Sequence, residues 1–245
     1  MNIWEKLIEE AKHEVESAKN KELNKLIDST GIAEAFCRVL SQRMGCSHST
    51  MYDISSHIVH AYEHDPLLVF HLENDLQAIL ERDYACNNYL YPFLFYNGFH
   101  GLQLYRIAHY YLKNNEHFTA SLIHERMVSV CSMDIHPAAA IGERVVIDHG
   151  LGVVIGETSV IGDDVFMYHN ITLGGTGTGG IKRHPTIGNN VLIGSGTTLL
   201  GDITIGDDSA IAANSVVTKP IASGRLVAGN PAKEIGPAKA FQKKT

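Results

Sequence analysis

The second half of the chain repeats every six residues, and this period constrains the fold more than any other feature. Each unit begins with an aliphatic residue, and a small or β-branched residue stands four positions later. Neither an α-helix nor an alternating β-strand has this period. The pattern is typical of a parallel β-helix, in which three hexapeptides form one triangular coil with the aliphatic side chains at its axis. The aliphatic positions are Ile135, Ile141, Ile147, Ile155, Ile161, Met167, Leu173, Ile187, Ile193, Leu199, Ile205, Ile211 and Val217.

Two interruptions of the repeat are candidate positions for function. Residues 148–152 insert two residues at a corner, and residues 174–185 (GGTGTGGIKRHP) form a glycine-rich loop that ends in basic side chains. Loops that leave a regular solenoid often carry function, although a tolerated surface insertion gives the same pattern. The loop fits neither the P-loop nor the dinucleotide-binding fingerprint, so it does not indicate a nucleotide site.

The first half of the chain has sparse glycine and the periodicity of amphipathic helices. Asp65-Pro66 is a favourable helix start, and Asn97-Gly98 reads as a break between helices. Helical patterns cover residues 4–11, 32–40, 57–62, 66–80, 99–113 and 121–130.

These patterns predict the α+β fold class. We expect an all-α N-terminal domain at residues 1–133 and a left-handed parallel β-helix at residues 134–236, with the extruded loop at 174–185. A short C-terminal tail is expected at residues 237–245.

Composition excludes several classes of function. The net charge of −7 argues against a nucleic-acid binder, and no apolar run approaches the length that spans a bilayer. The first residues read as a charged helix rather than a signal peptide. The four cysteines lack metal or disulfide spacing, which is typical of reduced thiols in the cytoplasm. We therefore expect a cytoplasmic protein without nucleic-acid or membrane partners.

His149 is the leading candidate for a general base. It stands beside Asp148 at the first interruption, and Asp134 is expected about one coil earlier. A carboxylate behind a histidine fixes its tautomer and stabilises the imidazolium. A surface His–Asp contact explains the same pattern.

Arg183 and His184 close the long loop. A guanidinium next to an imidazole suits recognition of a small carboxylate. A solvated basic patch is the alternative interpretation.

A zinc site is the third possibility in the repeat region, which contains His136, His149, His169 and His184. Their spacing contains no tight histidine pair with a supporting pattern, so we expect no bound metal.

Several segments, in order, resemble those of serine acetyltransferases, members of the hexapeptide-repeat acyltransferase superfamily that make O-acetylserine on the route to cysteine. The resemblance spans roughly residues 65–236. Its segments are Arg82-Asp83, Gly98-Phe99-His100, Gln103-Leu104-Tyr105-Arg106, Asp134-Ile135-His136-Pro137-Ala138-Ala139, Asp148-His149, Gly156-Glu157-Thr158, Thr172-Leu173-Gly174-Gly175-Thr176-Gly177, Arg183-His184-Pro185 and Ala228-Gly229-Asn230-Pro231-Ala232.

The resemblance implies a role for each matching residue. His149 resembles the general base that deprotonates the hydroxyl of L-serine, and Asp134 resembles its orienting carboxylate. Asp83 and Asp148 resemble the acids that bind the ammonium of serine. Arg183 and His184 resemble the basic pair that binds its carboxylate. Gly175, Ser195 and Ala213 resemble positions along which acetyl-CoA lies.

The resemblance also implies the reaction and the assembly. Acetyl-CoA acts as a co-substrate, and no cofactor is permanently bound. Transfer is direct, since no serine or cysteine stands in the setting of an activated nucleophile. Active sites are expected between the β-helices of a homotrimer, or of a dimer of trimers, and L-cysteine is expected to inhibit at the serine pocket.

Alternatives remain open at this point. Another hexapeptide acyltransferase would acetylate homoserine, a sugar or an antibiotic. A β-helix scaffold or a carbonic-anhydrase-like protein would transfer no acetyl group. One departure concerns a partner: family members bind O-acetylserine sulfhydrylase through a longer tail that ends in isoleucine, whereas this sequence ends at Thr245. The complex with that enzyme is therefore doubtful.

Overall fold

The computed structural model describes residues 2–18, 23–44, 54–177 and 182–239. Within these ranges, helices occupy the first half of the chain and short strands occupy the second. The helices are α1 (Ile3–Ala18), α2 (Asn24–Ile27), α3 (Ile32–Arg43), α4 (Ser55–His64), α5 (Pro66–Arg82), α6 (Leu90–Phe95), α7 (Asn97–Lys113) and α8 (His117–Cys131).

The strands follow each other around a triangular solenoid. They are β1 (Met133–Ile135), β2 (Ala140–Ile141), β3 (Val146–Ile147), β4 (Val153–Ile155), β5 (Val160–Ile161), β6 (Phe166–Met167), β7 (Thr172–Gly174), β8 (Thr186–Ile187), β9 (Leu192–Ile193), β10 (Thr198–Leu200), β11 (Thr204–Ile205), β12 (Ala210–Ile211), β13 (Val216–Val217), β14 (Arg225–Ala228) and β15 (Lys233–Pro237).

Three sheets form the faces of this solenoid. Face 1 has the order β1-β4-β7-β10-β13, face 2 has β11-β8-β5-β2, and face 3 has β15-β14-β12-β9-β6-β3. Among these strands every pairing between coils is parallel, and only β15 pairs antiparallel, with β14. The predicted fold class, helices followed by a parallel β-helix of hexapeptide repeats, is confirmed.

The hexapeptide pattern maps onto the core as predicted. Twelve of the thirteen aliphatic positions are buried, and Ile141 is half-buried. The small or β-branched residues four positions later are also buried, because they face inward where the chain turns a corner. These residues are Ala139, Val145, Ser159, Val165, Val191, Thr197, Ser209 and Ser215.

The strand register shows where the two interruptions fall. On face 1, Asp134 pairs with Val154, and Val154 pairs in turn with Thr172, so the first coil is longer than the second by the two inserted residues. Thr172 pairs with Thr198, and the coil between them is the longest of the three because it contains the glycine-rich loop. The first coil therefore carries the two-residue insertion, and the third carries the long loop.

The helical prediction was correct for six segments and missed two. The short helix α2 was missed, and so was α6, whose six residues LYPFLF are too few to show an amphipathic period. Asn97-Gly98 was predicted to separate two helices, the second starting at residue 99, but α7 already begins at Asn97. The first residues of a helix and a turn favour similar amino acids, which explains the misassignment.

The helices pack on face 3 through a buried charge network. Asp75 is fully buried, and its carboxylate accepts hydrogen bonds from Arg106 Nε at 2.8 Å, Gln103 Nε2 at 2.9 Å and the backbone N–H of Val145 at 3.1 Å. Arg106 also donates to the Gly142 carbonyl at 2.8 Å. Because a buried carboxylate is stable only with such partners, this network fixes α5 and α7 against the first coil.

Several sequence predictions fall near or beyond the edge of the described residues. Cys37, Cys86 and Cys131 are buried thiols, whereas Cys46 lies outside the described ranges. Residues 240–245 of the predicted tail also lie outside them, and its first residue, Pro237, belongs to β15. In the described part of the chain, no helix combines the length and apolarity needed to cross a bilayer.

Candidate active site

The first candidate cluster lies where the chain leaves β3 and turns towards β4. We call it the acidic corner, and it comprises Asp83, Asp148 and His149. His149 has a φ of 61°, and the next residue, Gly150, has a φ of 77°. Gly152, with a φ of 69°, stacks on Asn170, and Asn170, Gly196 and Asn214 are the left-handed residues at this position in later coils, so the left-handed His149 and Gly150 come with the two-residue insertion. A non-glycine residue in this region costs about 1–3 kcal/mol, which the surrounding contacts offset.

The acidic corner lines a cleft of about 420 Å³ between the helices and the solenoid. Asp83 enters it as the C-cap of α5, and its carboxylate accepts a hydrogen bond from Ala85 N at 2.8 Å. The preceding Arg82 donates to the Asp164 carbonyl at 2.5 Å, which anchors the end of α5 to the β-helix. The lining residues are Asp83, Ala85, Phe95, Tyr96, Asn97, Asp148, His149 and Leu151.

The charges of the acidic corner are arranged to favour a bound cation. Burial raises the pKa of the Asp148 carboxyl, the neighbouring His149 lowers it, and the Asp83 carboxylate raises it further. His149 Nε2 lies 3.6 Å from Asp148 Oδ2, and 67% of the His149 side chain is exposed. A positive group between the two acids would relieve their repulsion, while the imidazole remains accessible to a reactant.

Asp134 does not stack on His149, contrary to the prediction. Asp134 pairs with Val154 in the next coil, and His149 comes before Val154 in the chain, at the corner that closes the coil of Asp134 itself. Its carboxylate instead accepts a hydrogen bond from His124 Nε2 of α8 at 2.9 Å. Sequence analysis had not identified His124, because nothing in the periodicity of α8 distinguishes this residue.

The second cluster lies where the chain passes from face 1 to face 2. We call it the basic corner, and it comprises Glu157, Thr158, Arg183 and His184. Thr158 Oγ1 accepts hydrogen bonds from the backbone N–H groups of Arg183 at 3.0 Å and of His184 at 3.1 Å. Thr158 N donates to His184 Nδ1 at 3.2 Å, and Arg183 NH2 lies 2.5 Å from Glu157 Oε2. Thr158 thus holds the end of the long loop against the second coil.

The basic corner keeps its histidine neutral and its arginine paired. Burial, together with the positive charges of Arg183 and Lys182, lowers the pKa of His184. The ion pair with Arg183 lowers the pKa of Glu157. The His184 ring packs directly on Gly156, where an added Cβ would overlap the ring. Gly175 also contacts this corner, since a Cβ there would lie 3.0 Å from His184 Nε2.

The two corners are separated by the width of face 1. Residues 150–155 connect them, and the extended part of this segment, β4, spans roughly 10 Å at about 3.3 Å per residue. The structure therefore brings Asp83, Asp148 and His149 together, and it brings Gly175, Arg183 and His184 together, but it does not join the two groups within one chain. This separation also divides the histidines considered for zinc: the rings of His149 and His169 are 5.5 Å apart at one corner, and His136 and His184 lie at the other.

Ser195 and Ala213 lie in a column that starts at His149. The backbone bonds Asp148 N to Met167 O, Tyr168 N to Ile193 O and Gly194 N to Ile211 O align successive coils at this edge. His149, His169, Ser195 and Ala213 consequently occupy equivalent positions in successive coils. The column offers a continuous edge of backbone groups that leads away from the acidic corner.

Sequence reasoning did not single out two residues that position these clusters. Thr158 was quoted only within the segment Gly156-Glu157-Thr158, and Asn97 was interpreted as part of a break. A hydroxyl next to an acid in a solenoid corner was an available signal for Thr158. Asn97 had no such signal, because its contacts come from Cys131 and His149, which are distant in sequence.

Comparison with known proteins decides the family. The model for the N-terminal region of serine acetyltransferase matches residues 3–104, and the bacterial transferase hexapeptide model matches residues 184–219. The chloroplastic serine acetyltransferase 1 of Arabidopsis thaliana is 38% identical over 96% of this chain and 76% of its own length. This chain belongs to the serine acetyltransferase family. The serine acetyltransferase of Escherichia coli K12 is 36% identical over 86% of this chain and 77% of its own length.

Solved serine acetyltransferases have the same architecture. The Brucella abortus S19 enzyme in complex with coenzyme A has a TM-score of 0.92 at 35% identity, covering 97% of this chain and 96% of that one. The soybean enzyme with serine has a TM-score of 0.89 at 37% identity, covering 95% and 97%. A complex of the enzyme with cysteine has a TM-score of 0.90 at 34% identity, covering 96% and 100%. The family resemblance stated from the sequence is therefore confirmed.

Proposed function

We propose that this serine acetyltransferase transfers the acetyl group of acetyl-CoA to the hydroxyl of L-serine, giving O-acetyl-L-serine and CoA, the first step of cysteine biosynthesis. The observation that carries the proposal is the acidic corner, where two carboxylates and an accessible imidazole line one cleft in a chain of this family. Serine offers the matching groups, an ammonium and a hydroxyl on adjacent carbons.

The two acids of the cleft bind the serine ammonium in this proposal. The pKa of Asp148 is raised by burial and by Asp83, so the free site gains stability when a cation enters. Serine binding requires the ionised carboxylate. It therefore weakens as the pH falls through the pKa of Asp148, which lies above the ordinary value for an aspartate.

His149 is the proposed general base. It removes the hydroxyl proton as the serine oxygen attacks the thioester carbonyl, and it then donates that proton to the departing CoA thiolate. Backbone N–H groups of the solenoid corner are suited to stabilise the oxyanion that forms between these steps. The three described cysteines are buried, which favours direct transfer over an acetyl-enzyme.

Asp134 is proposed to orient His149, as the resemblance implies. Its Oδ1 is paired with His124 at 2.9 Å, so for this role the carboxylate either changes partner or accepts from His149 at Oδ2. The side chain of Asp134 is 54% exposed, so it is free to change partner without an unpaired group becoming buried.

The basic corner of a second copy completes the proposed site. Arg183 and His184 supply a guanidinium and an imidazole for the serine carboxylate, but face 1 separates them from the acidic corner of their own chain. A closed ring of three copies would bring each acidic corner against the basic corner of its neighbour. We therefore propose a homotrimer, or a dimer of trimers, with three equivalent sites in each ring.

The column of Ser195 and Ala213 is the proposed path of acetyl-CoA. It begins at His149, so a thioester at the acidic corner would extend its pantetheine arm along the edge. Gly175 of the neighbouring basic corner would border the same site. L-cysteine keeps the ammonium and carboxylate of serine, so we propose that it binds competitively in this pocket.

The test is release of free thiol from acetyl-CoA, measured with L-serine, L-homoserine, glucosamine or no acceptor. We expect turnover with L-serine and at least tenfold lower kcat/KM with the other acceptors, because the hydroxyl must reach His149 while both charges are held. A preference for glucosamine, or thiol release that does not depend on an acceptor, would refute the proposed substrate.

A further inference from the structure

An asparagine from the helical half of the chain holds the backbone of His149. Asn97 is the first residue of α7, and its Nδ2 group donates to the His149 carbonyl at 3.1 Å and to the Cys131 carbonyl at 2.9 Å. A single amide therefore links the acidic corner to the end of α8.

Arg43 fixes the orientation of that amide. Its NH2 group donates to Asn97 Oδ1, and its NH1 group lies 3.1 Å from His100 Nδ1. A guanidinium has only donors, so the oxygen of the amide must face Arg43 and its NH2 group must face the two carbonyls. The position of α3, which ends at Arg43, thus determines how Asn97 contacts His149.

His100 fixes the position of the second group that the Arg43 guanidinium contacts. His100 Nε2 lies 2.8 Å from the Phe93 carbonyl and must carry the hydrogen of that bond, which leaves Nδ1 as an acceptor for Arg43. Burial lowers the pKa of His100 to about 4, so the ring is a neutral acceptor at neutral pH. Arg43 is therefore held between two neutral acceptors whose own positions are fixed by α6 and α7.

The geometry of the corner explains why such support matters. His149 has a left-handed backbone and a largely exposed side chain, so side-chain packing does little to set its direction. The first turn of α7 presses on the same corner, since a Cβ on Gly98 would overlap the Ile147 carbonyl oxygen. The side chain of His149 contacts Asp148 and the ring of His169, and the backbone that carries it is held in addition by Asn97.

We propose that Asn97, oriented by Arg43, is a positioning residue that sets the direction of the His149 imidazole for proton removal. The proposal rests on the function proposed above, in which His149 is the general base. Asn97 itself touches neither reacting atom in this scheme, and its effect passes through the His149 carbonyl.

A double-mutant cycle tests this role with the full chain. The parent, Asn97→Ala, His149→Ala and the double variant are compared by kcat and by KM for both substrates. We expect Asn97→Ala to lower kcat about 10–100-fold with both KM values within about twofold, since a small misplacement of a catalytic group has this cost. In the His149→Ala background, Asn97→Ala should cause no further loss, because the two residues act through one group.

Two results would overturn the proposal. One is a folded Asn97→Ala variant with the parent kcat. The other is an equal fold-loss in both backgrounds, which would show that Asn97 affects the structure generally and not His149.

Two further variants separate the donor role of Asn97 from a general effect on α7. Asn97→Asp keeps the acceptor for Arg43 but loses the donor to His149, so it should lose kcat as Asn97→Ala does. Asn114→Ala is the matched control at the far end of α7, where the asparagine donates to the Tyr110 carbonyl at 2.9 Å; it should leave kcat unchanged. Failure of both Asn97 variants to fold would make Asn97 a structural residue and refute the positioning role.

The same data separate this inference from the proposed function. If the parent does not acetylate serine, or His149→Ala keeps the parent activity, the proposed function fails. If the parent is active, His149→Ala is not, and the Asn97 variants retain the parent kcat, only the positioning role fails.

Discussion

The acidic and basic corners differ in how the protein holds them. The acidic corner is built from three distant parts of the chain, the end of α5, the start of α7 and the insertion after β3. The basic corner is local to the solenoid and rests on Thr158 and one ion pair whose side chains are 42% and 43% exposed. In the proposed mechanism, proton removal, which requires an accurate direction, takes place at the more firmly held acidic corner, and the basic corner recognises a charge.

The largest expected effect is at the acidic corner. His149→Ala should lower kcat about 10²–10⁴-fold, because general-base catalysis contributes this much. Steady-state thiol release measures it, with His64→Ala in α4 as a histidine control away from both corners. Activity within threefold of the parent would show that the acidic corner does not contain the base.

The basic corner should respond in substrate binding. Arg183→Ala should raise the KM for serine about 10–150-fold, the equivalent of a lost charge-assisted hydrogen bond, and leave the KM for acetyl-CoA nearly unchanged. Arg225→Ala is the matched control, since Arg225 also forms an exposed ion pair, 3.1 Å from Glu234. A main defect in the acetyl-CoA KM would assign the loop to the co-substrate.

Mixing His149→Ala with Arg183→Ala tests whether the acidic corner of one copy meets the basic corner of another. Each variant alone should be nearly inactive at low serine. After unfolding and refolding together in equal amounts, about a quarter of the sites should combine an intact acidic corner with an intact basic corner. Activity recovered to that level would support a shared site. No recovery, with light scattering showing mixed oligomers, would mean that each chain forms its site alone.

The smallest effect should come from the partner of Arg183. Glu157→Gln removes a carboxylate that competes with serine for the guanidinium, so the KM for serine should fall. An exposed pair contributes only about 0–1 kcal/mol, which limits the change to less than about fivefold. Kinetics across a range of salt concentrations would check this, since added salt should reduce the difference. A tenfold rise in KM would mean that Glu157 helps to hold Arg183 in its binding position.

Local patterns predicted the solenoid well, and distant contacts explain what they missed. Each coil buries the same positions, so the hexapeptide period was enough to predict the core from Ile135 to Val217. Asp148 and His149 are adjacent in sequence, and their contact needed no knowledge of the fold. Asp83 was identified only through the family resemblance, because it reaches the cleft through the docking of α5.

The placement of Asp134 shows the limit of periodic reasoning. A coil of regular length would pair it with Gly152, and the two-residue insertion moves its partner to Val154, so in neither case does it stack on His149. The partner that Asp134 does have, His124, belongs to α8 and lies outside the repeat altogether. Corners that contain insertions must therefore be placed from the strand register and not from the repeat.

The buried Asp75 network has a consequence for how the molecule opens. Separation of α5 and α7 from the first coil would break the bonds from Val145 N to Asp75 and from Arg106 to the Gly142 carbonyl, and a hydrogen bond to a charged group contributes about 1.5–3 kcal/mol. The helices and the top of the solenoid should therefore exchange their amide hydrogens as one cooperative unit, whereas coils near β11 and β13 open separately. The slowest-exchanging amides, including Val145, should then lie at the helix–solenoid junction and not at the centre of the β-helix.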